Sequence, residues 1–221
     1  MVLSVCPPHG ALDIARAVAA TRFPRTLRGR QRRIAPDTAR EAAAIVQATG
    51  ATYVDGGIIG PPPDKPGTTR LYLSGPAAGR IAALFAPGPL EAVVLAGDLT
   101  AASAIKMAYA AWTKGSQALI MNVRALAAAE GVDEALLAEW QRSQPDLPKR
   151  SENAARGTAR KAWRWVGEMD EIAATFAAAG LPDGFHRGAG EIYRRMAVYK
   201  DAAAAPSMDD VAKTLLKEPG A

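Results

Sequence analysis

The chain has 221 residues, of which 49% are hydrophobic and 22% charged, enough apolar material for one large or two small cores. Its one cysteine, Cys6, excludes an internal disulfide framework and any zinc site built on several thiolates, and fits a reducing, cytoplasmic setting. The net charge of +5 comes from one patch: Arg22, Arg25, Arg28, Arg30, Arg32 and Arg33 fall in twelve residues without an acid, and the remainder carries 21 basic against 22 acidic residues.

In chain order, VLSVC at 2–6 reads as a short buried strand ended by Pro7-Pro8, and LDIARAVAA from Leu12 follows with helical spacing. A second strand of a βαβ unit is expected after Ala20. The arginine-rich run stands there instead and is a poor candidate for a buried strand. A shifted reading frame over a GC-rich codon run would produce such a passage. Pro36 and Asp37 open a helix that Gly50 closes. TYVDGG is a short strand with a glycine-rich exit, RLYLS alternates, PAAGRIAALFA is amphipathic, and LEAVVLAG gives a further strand.

From Ala101 the character changes. Helical patterns run over 101–130, 133–141, 152–179, 187–200 and 207–217, with Asp133 as the expected cap of the second and Pro145, Pro148 and Pro182 as breaks. The expected fold is therefore an α/β domain over 1–98 followed by an all-α domain over 99–221, joined by one long helix.

No stretch approaches the roughly 20 uninterrupted apolar residues of a membrane span, and MVLSVCPPHG carries no basic leader, so neither a membrane anchor nor a secretory signal is expected. The arginine run can attract phosphates, but it lacks interleaved aromatics and zinc ligands, which argues against a nucleic-acid partner.

The most informative stretch is GDLTAASAIKMAYAAWTKG at 97–115. Ser103, Lys106, Ala110, Thr113 and Gln117 recur at spacings of three and four and share one helical face. A lysine held there against apolar walls loses hydration, its pKa falls, and it can exchange protons with a substrate. The plainer alternative is a lysine that lays its stem along the helix and keeps its ammonium in water.

Taken in order, Asp55-Gly-Gly-Ile-Ile-Gly60, GTTRLYLSG at 67–75, KMAYAAWTKGS at 106–116 and GLPDGFHRGAGEIYRRM at 180–196 resemble the β-hydroxyacid dehydrogenase and 6-phosphogluconate dehydrogenase superfamily. The resemblance spans 34–200 and is strongest for the branch with a phosphogluconate dehydrogenase-like C-terminal domain of unsettled substrate. It implies a partial Rossmann-type domain, an NAD or NADP cofactor, a hydroxy or keto acid substrate, and a homodimer formed through the helical domain. It also implies Lys106 as general acid and base for the substrate hydroxyl.

By the same resemblance Cys6, Pro7 and Pro8 pass close to the cofactor. Gly57, Ile59 and Gly60 would bring backbone amides to a substrate carboxylate, and a simple strand exit is the alternative for that segment. Tyr109 and Thr113 are substitute hydrogen-bonding groups or packing residues, and His186 with Arg187 faces an anionic group or packs a helix start. His9 reads as a loop histidine, Cys6 equally as a small buried hydrophobe, and Trp112, Trp140, Trp163 and Trp165 as core or subunit-interface residues.

The departures from the family pattern are specific. The turn GxGxxG that holds a dinucleotide pyrophosphate is absent, so an N-terminally incomplete nucleotide-binding fold is expected. Ile59 stands where the family often has serine, Pro61 replaces a glycine, and Ala110 and Thr113 replace the asparagine and the acid that follow the lysine. Decarboxylation of 6-phosphogluconate is accordingly disfavoured. The second functional reading is an inactive remnant that serves as a helical dimerisation domain.

Overall fold

The structure is a computed structural model, and it describes residues 2–6, 10–21, 27–31 and 35–217. The chain divides into two compact units, Met1–Tyr109 and Ala110–Ala221. The boundary falls inside one long helix, α4 (Ala101–Ala129).

The first unit is a five-stranded sheet in the order β1 (Val2–Cys6), β2 (Leu27–Gln31), β3 (Tyr53–Ile59), β4 (Arg70–Ser74), β5 (Glu91–Val94). The first three strands are parallel, β4 runs antiparallel to β3, and β5 is parallel to β4. Helices α1 (Ala11–Ala20) and α2 (Pro36–Gln47) connect the parallel strands, and α3 (Ala78–Ala83) precedes β5. Successive residues of a strand point to opposite faces, and β3 shows the division directly. Tyr53 packs with Ala15, Ala42, Ala43 and Val46 of α1 and α2. Its neighbour Val54 packs on the other face with Leu71, Leu73, Ala78 and Ile81.

Two expectations are corrected here. LRGRQ, too basic to be expected in a sheet, forms β2, paired on one side with β1 and on the other with β3. Ladder hydrogen bonds belong to the backbone, and a sheet position with partners on both edges outweighs the low strand propensity of the side chains. The segment from Asp55 is not an open glycine-rich exit either. It continues as strand to Ile59, because β4 pairs with it over Asp55↔Ser74 to Ile59↔Arg70.

The second unit is helical: the remainder of α4, then α5 (Asp133–Ser143), α6 (Leu147–Thr158), α7 (Ala162–Ala178), α8 (Gly184–Arg195) and α9 (Met208–Leu216). The pattern over 152–179, expected as one helix, is broken between α6 and α7 by a 3-10 turn at Ala159–Lys161. The core is formed by Met121, Met169, Ile172, Tyr193, Met196, Met208 and Val211, all fully buried. Two buried ionic contacts tie it together. Lys114 of α4 pairs with Glu168 of α7 and lies 5.1 Å from the Trp165 ring centroid. Arg124 of α4 holds Asp133 through Nε and Nη2 at 2.5 and 2.8 Å. Asp133 is therefore the first residue of α5, engaged by an arginine, and makes no side-chain cap of that helix.

Candidate active site

The site is built where β3 meets the first turns of α4. A helix start leaves its first backbone N–H groups without intrahelical acceptors, and here two side chains of the sheet supply them. Ser74 Oγ accepts from the Ala102 N–H at 3.0 Å and donates to the Leu99 carbonyl at 2.8 Å. The Asp55 carboxylate accepts from the Ser103 N–H at 2.7 Å and from Ser103 Oγ at 2.9 Å. Asp55 is fully buried, and burial pushes its pKa up while the two Ser103 hydrogen bonds pull it down. The positive end of the helix dipole meets this carboxylate where it is most favourable.

Between these anchors the backbones touch. A Cβ on Gly57 would stand 2.5 Å from the Ala102 carbonyl oxygen and 3.2 Å from Lys106 Cβ. One turn beyond Ser103, Lys106 is half-buried and its ammonium donates to the Ile58 carbonyl. The amine is thus held against the end of a paired strand, neither laid out along the helix surface nor sunk in the core.

The remaining sequence-predicted residues fall in different places. Ile59 is buried, and by strand alternation it shares the β3 face of Asp55 and Gly57. Gly57 is paired in the sheet with Tyr72 and Gln31, so its backbone is committed to the ladder. Gly60, at φ +129°, lets Thr68 and Thr69 close the loop after β3; Thr69 Oγ1 donates to the Pro61 carbonyl at 2.5 Å. Tyr109, one turn after Lys106, is 48% exposed. Thr113 and His186 belong to the second unit. Thr113 is half-buried, its hydroxyl 3.4 Å from the Ala110 carbonyl. His186 is buried between the Phe176 and Phe185 rings, centroids at 4.2 and 5.1 Å, and burial lowers its pKa. Pro7, Pro8 and His9 lie outside the described residues, and of Cys6 only the backbone, closing β1, is described.

A nicotinamide dinucleotide needs a crevice at the carboxyl ends of parallel strands and a helix start free to receive phosphate. The β1-α1-β2-α2-β3 frame supplies the parallel strands. Helix α1 has no side-chain cap, and a Cβ on Gly10 would meet nothing within 4 Å. Asp13 in the first turn of α1 opposes an anion, so the fit is partial. Among the described residues no group of three or more histidines, cysteines or carboxylates can hold a metal ion, and no helix is long and apolar enough to cross a membrane.

Residues 127–196 match the family described as a domain of unknown function, DUF1932. No curated protein sequence matches the chain. Among solved structures, a conserved hypothetical protein of Sinorhizobium meliloti superposes with a TM-score of 0.74 at 22% identity, covering 97% of this chain and 73% of its own. The conserved protein MTH1747, of unknown function and described as structurally similar to 3-hydroxyacid dehydrogenases, gives 0.70 at 22% identity over 91% and 78%. The 3-hydroxyisobutyrate dehydrogenase of Mycobacterium tuberculosis, in a structure with L-serine, gives 0.67 at 16% over 97% and 79%. The chain shares the fold of these three structures.

The fold brings together groups that sequence reading did not connect. Asp55 and Ser74 lie on adjacent strands and cap α4 from 48 and 28 residues away. The signal available was an acid and a hydroxyl at facing strand positions, Asp55 and Ser74, ahead of the long helix. Nothing in the spacing identified Ile58 as the acceptor for Lys106, since any residue can supply a carbonyl.

Proposed function

We propose that the protein is a nicotinamide-linked oxidoreductase of the β-hydroxyacid dehydrogenase type, acting on a hydroxy or keto acid or a related carbonyl compound with Lys106 as the proton-transferring group. The observation that carries this reading is the placement of Lys106: a half-buried amine, fixed by the Ile58 carbonyl at the end of a strand, on the helix turn that β3 grips. An amine restrained in this way loses little further freedom when it meets a substrate oxygen. In oxidation, Lys106 takes the hydroxyl proton as the carbonyl forms. In reduction, it returns the proton to the nascent alkoxide. The Ile58 carbonyl accepts a hydrogen bond from the amine in either protonation state and so keeps Nζ in place through the transfer.

NAD or NADP, when bound, supplies or accepts the hydride. Gly10 and the start of α1 are the described residues suited to one of its phosphates. Tyr109, exposed one turn from Lys106, would meet the body of the substrate in this reading.

The same reading includes a second copy of the chain. Trp112, Leu119 and Leu126 recur every seven residues on α4 and are 68%, 49% and 62% exposed, an apolar stripe of the kind that subunit contacts cover.

The test is a titration of the purified protein with NADH and NADPH by nicotinamide fluorescence, with turnover on a panel of hydroxy and keto acids for the wild type and Lys106→Met. Saturable binding with turnover reduced at least ~100-fold in the variant is expected. A variant that turns over at the wild-type rate removes Lys106 from the chemistry.

A further inference from the structure

Resting on the reading of Lys106 as the proton-transferring group, we infer that Asp55 is a positioning residue for that lysine and sets its height and rotation on α4 through Ser103. Three residues of β3 hold three residues of the helix within little more than one turn. Asp55 takes both the N–H and the hydroxyl of Ser103, Gly57 admits the Ala102 carbonyl, and Ile58 receives the Lys106 ammonium. Ser103 and Lys106 are three apart and stack on one face of the helix, so a rotation or slide at Ser103 is carried to Lys106.

A buried carboxylate is an expensive way to cap a helix. An asparagine or serine would satisfy one N–H at far lower desolvation cost. What the carboxylate adds is acceptance from two donors at once, the N–H along the helix axis and the hydroxyl to its side, which fixes rotation as well as height. Ser74 already caps Ala102, so Asp55 is not needed merely to begin the helix. The requirement it meets is angular, and the group whose angle matters is the amine one turn on.

The experiment uses the full-length protein and the variants Asp55→Asn, Ser103→Ala and Ser103→Thr. Each is compared by melting temperature, by kcat and KM where a substrate has been found, and by reductive methylation with 13C-formaldehyde. The dimethyl-Lys106 signal in the NMR spectrum is assigned by its absence in Lys106→Arg. Asp55→Asn and Ser103→Ala are expected to move that signal and change the Lys106 methylation rate while the other lysines overlay the wild type.

Turnover is expected to fall roughly 10- to 100-fold with little change in KM, the scale of a small misplacement of a reacting group. Ser103→Thr, which keeps both donors, is expected to restore the wild-type signal and rate. A Lys106 signal and methylation rate that overlay the wild type in Asp55→Asn and Ser103→Ala would overturn the proposal, whatever happens to the melting temperature. If Lys106→Met retains activity, the catalytic reading fails instead, and the methylation signal still tests whether Asp55 positions the amine.

Discussion

The backbone of Gly57 and the carbonyl of Ala102 are in direct contact: a Cβ added to Gly57 would stand 2.5 Å from the Ala102 oxygen. No real Cβ contact is that short, and both neighbours are backbone, one in a strand paired on both sides and one in the first turn of a 29-residue helix. Neither yields at low cost. The expected result of Gly57→Ala is a displacement of the start of α4 from β3, with a loss of about 1–3 kcal/mol in unfolding free energy. Because Lys106 Cβ lies 3.2 Å from the same point, turnover should fall more than stability alone explains. Urea unfolding, with activity assayed well below the unfolding midpoint, separates the two effects. An alanine variant as stable and as active as the wild type would mean that the helix does not depend on this contact.

The sequence made the α/β half and the helical half legible because both rest on period. VLSVC, TYVDGG, RLYLS and LEAVVLAG are apolar runs or alternations bounded by turn residues, and they are strands β1, β3, β4 and β5. The helices from Ala101 onward likewise follow apolar spacing. The strand at Leu27–Gln31 was not legible, since its place depends on β1 and β3 on either side and its side chains argue against it. Of the candidate site, Lys106 was legible as a lysine in apolar surroundings on a helix, and Gly57 as part of a glycine-rich segment. The hydrogen-bond supports of the lysine were not. The acceptor is a main-chain carbonyl, and Asp55 reads only as the end of a short strand until the helix it caps is brought to it.

Arg124 carries a prediction that follows from geometry and not from charge alone. It is buried in the second unit, forked onto both oxygens of Asp133, and its Nη1 donates to Ser151 Oγ at 2.9 Å, so one guanidinium joins α4, α5 and α6. Removing it leaves the partly buried Asp133 carboxylate without its arginine, while Ser151 Oγ keeps its bond to the Pro148 carbonyl. Arg124→Ala is expected to cost about 3 kcal/mol. Arg124→Lys should recover less than half of that, because a single ammonium cannot span Asp133 and Ser151 together. Chemical unfolding of the three proteins decides it. A lysine variant as stable as the wild type would show that the fork contributes nothing beyond its charge.

His186 supplies the pH dependence. It is 6% exposed, lies between Phe176 and Phe185, and burial holds its pKa below the ordinary 6.5. Between the lowered folded value and 6.5 the unfolded chain binds a proton that the folded chain refuses. The stability tied to this residue is therefore fully present above 6.5 and is lost as the pH falls toward the folded value. His186→Phe keeps an aromatic ring in the slot and removes the titration. The difference in melting temperature, wild type minus variant, should be flat at neutral pH and fall steadily as the solution is acidified through the range below 6.5. His9 is the only other histidine and is present in both proteins, so its titration cancels in the difference. A difference that stays constant over that range would mean that the imidazole finds water or a counter-charge when it protonates, and that the aromatic slot opens without cost to the fold.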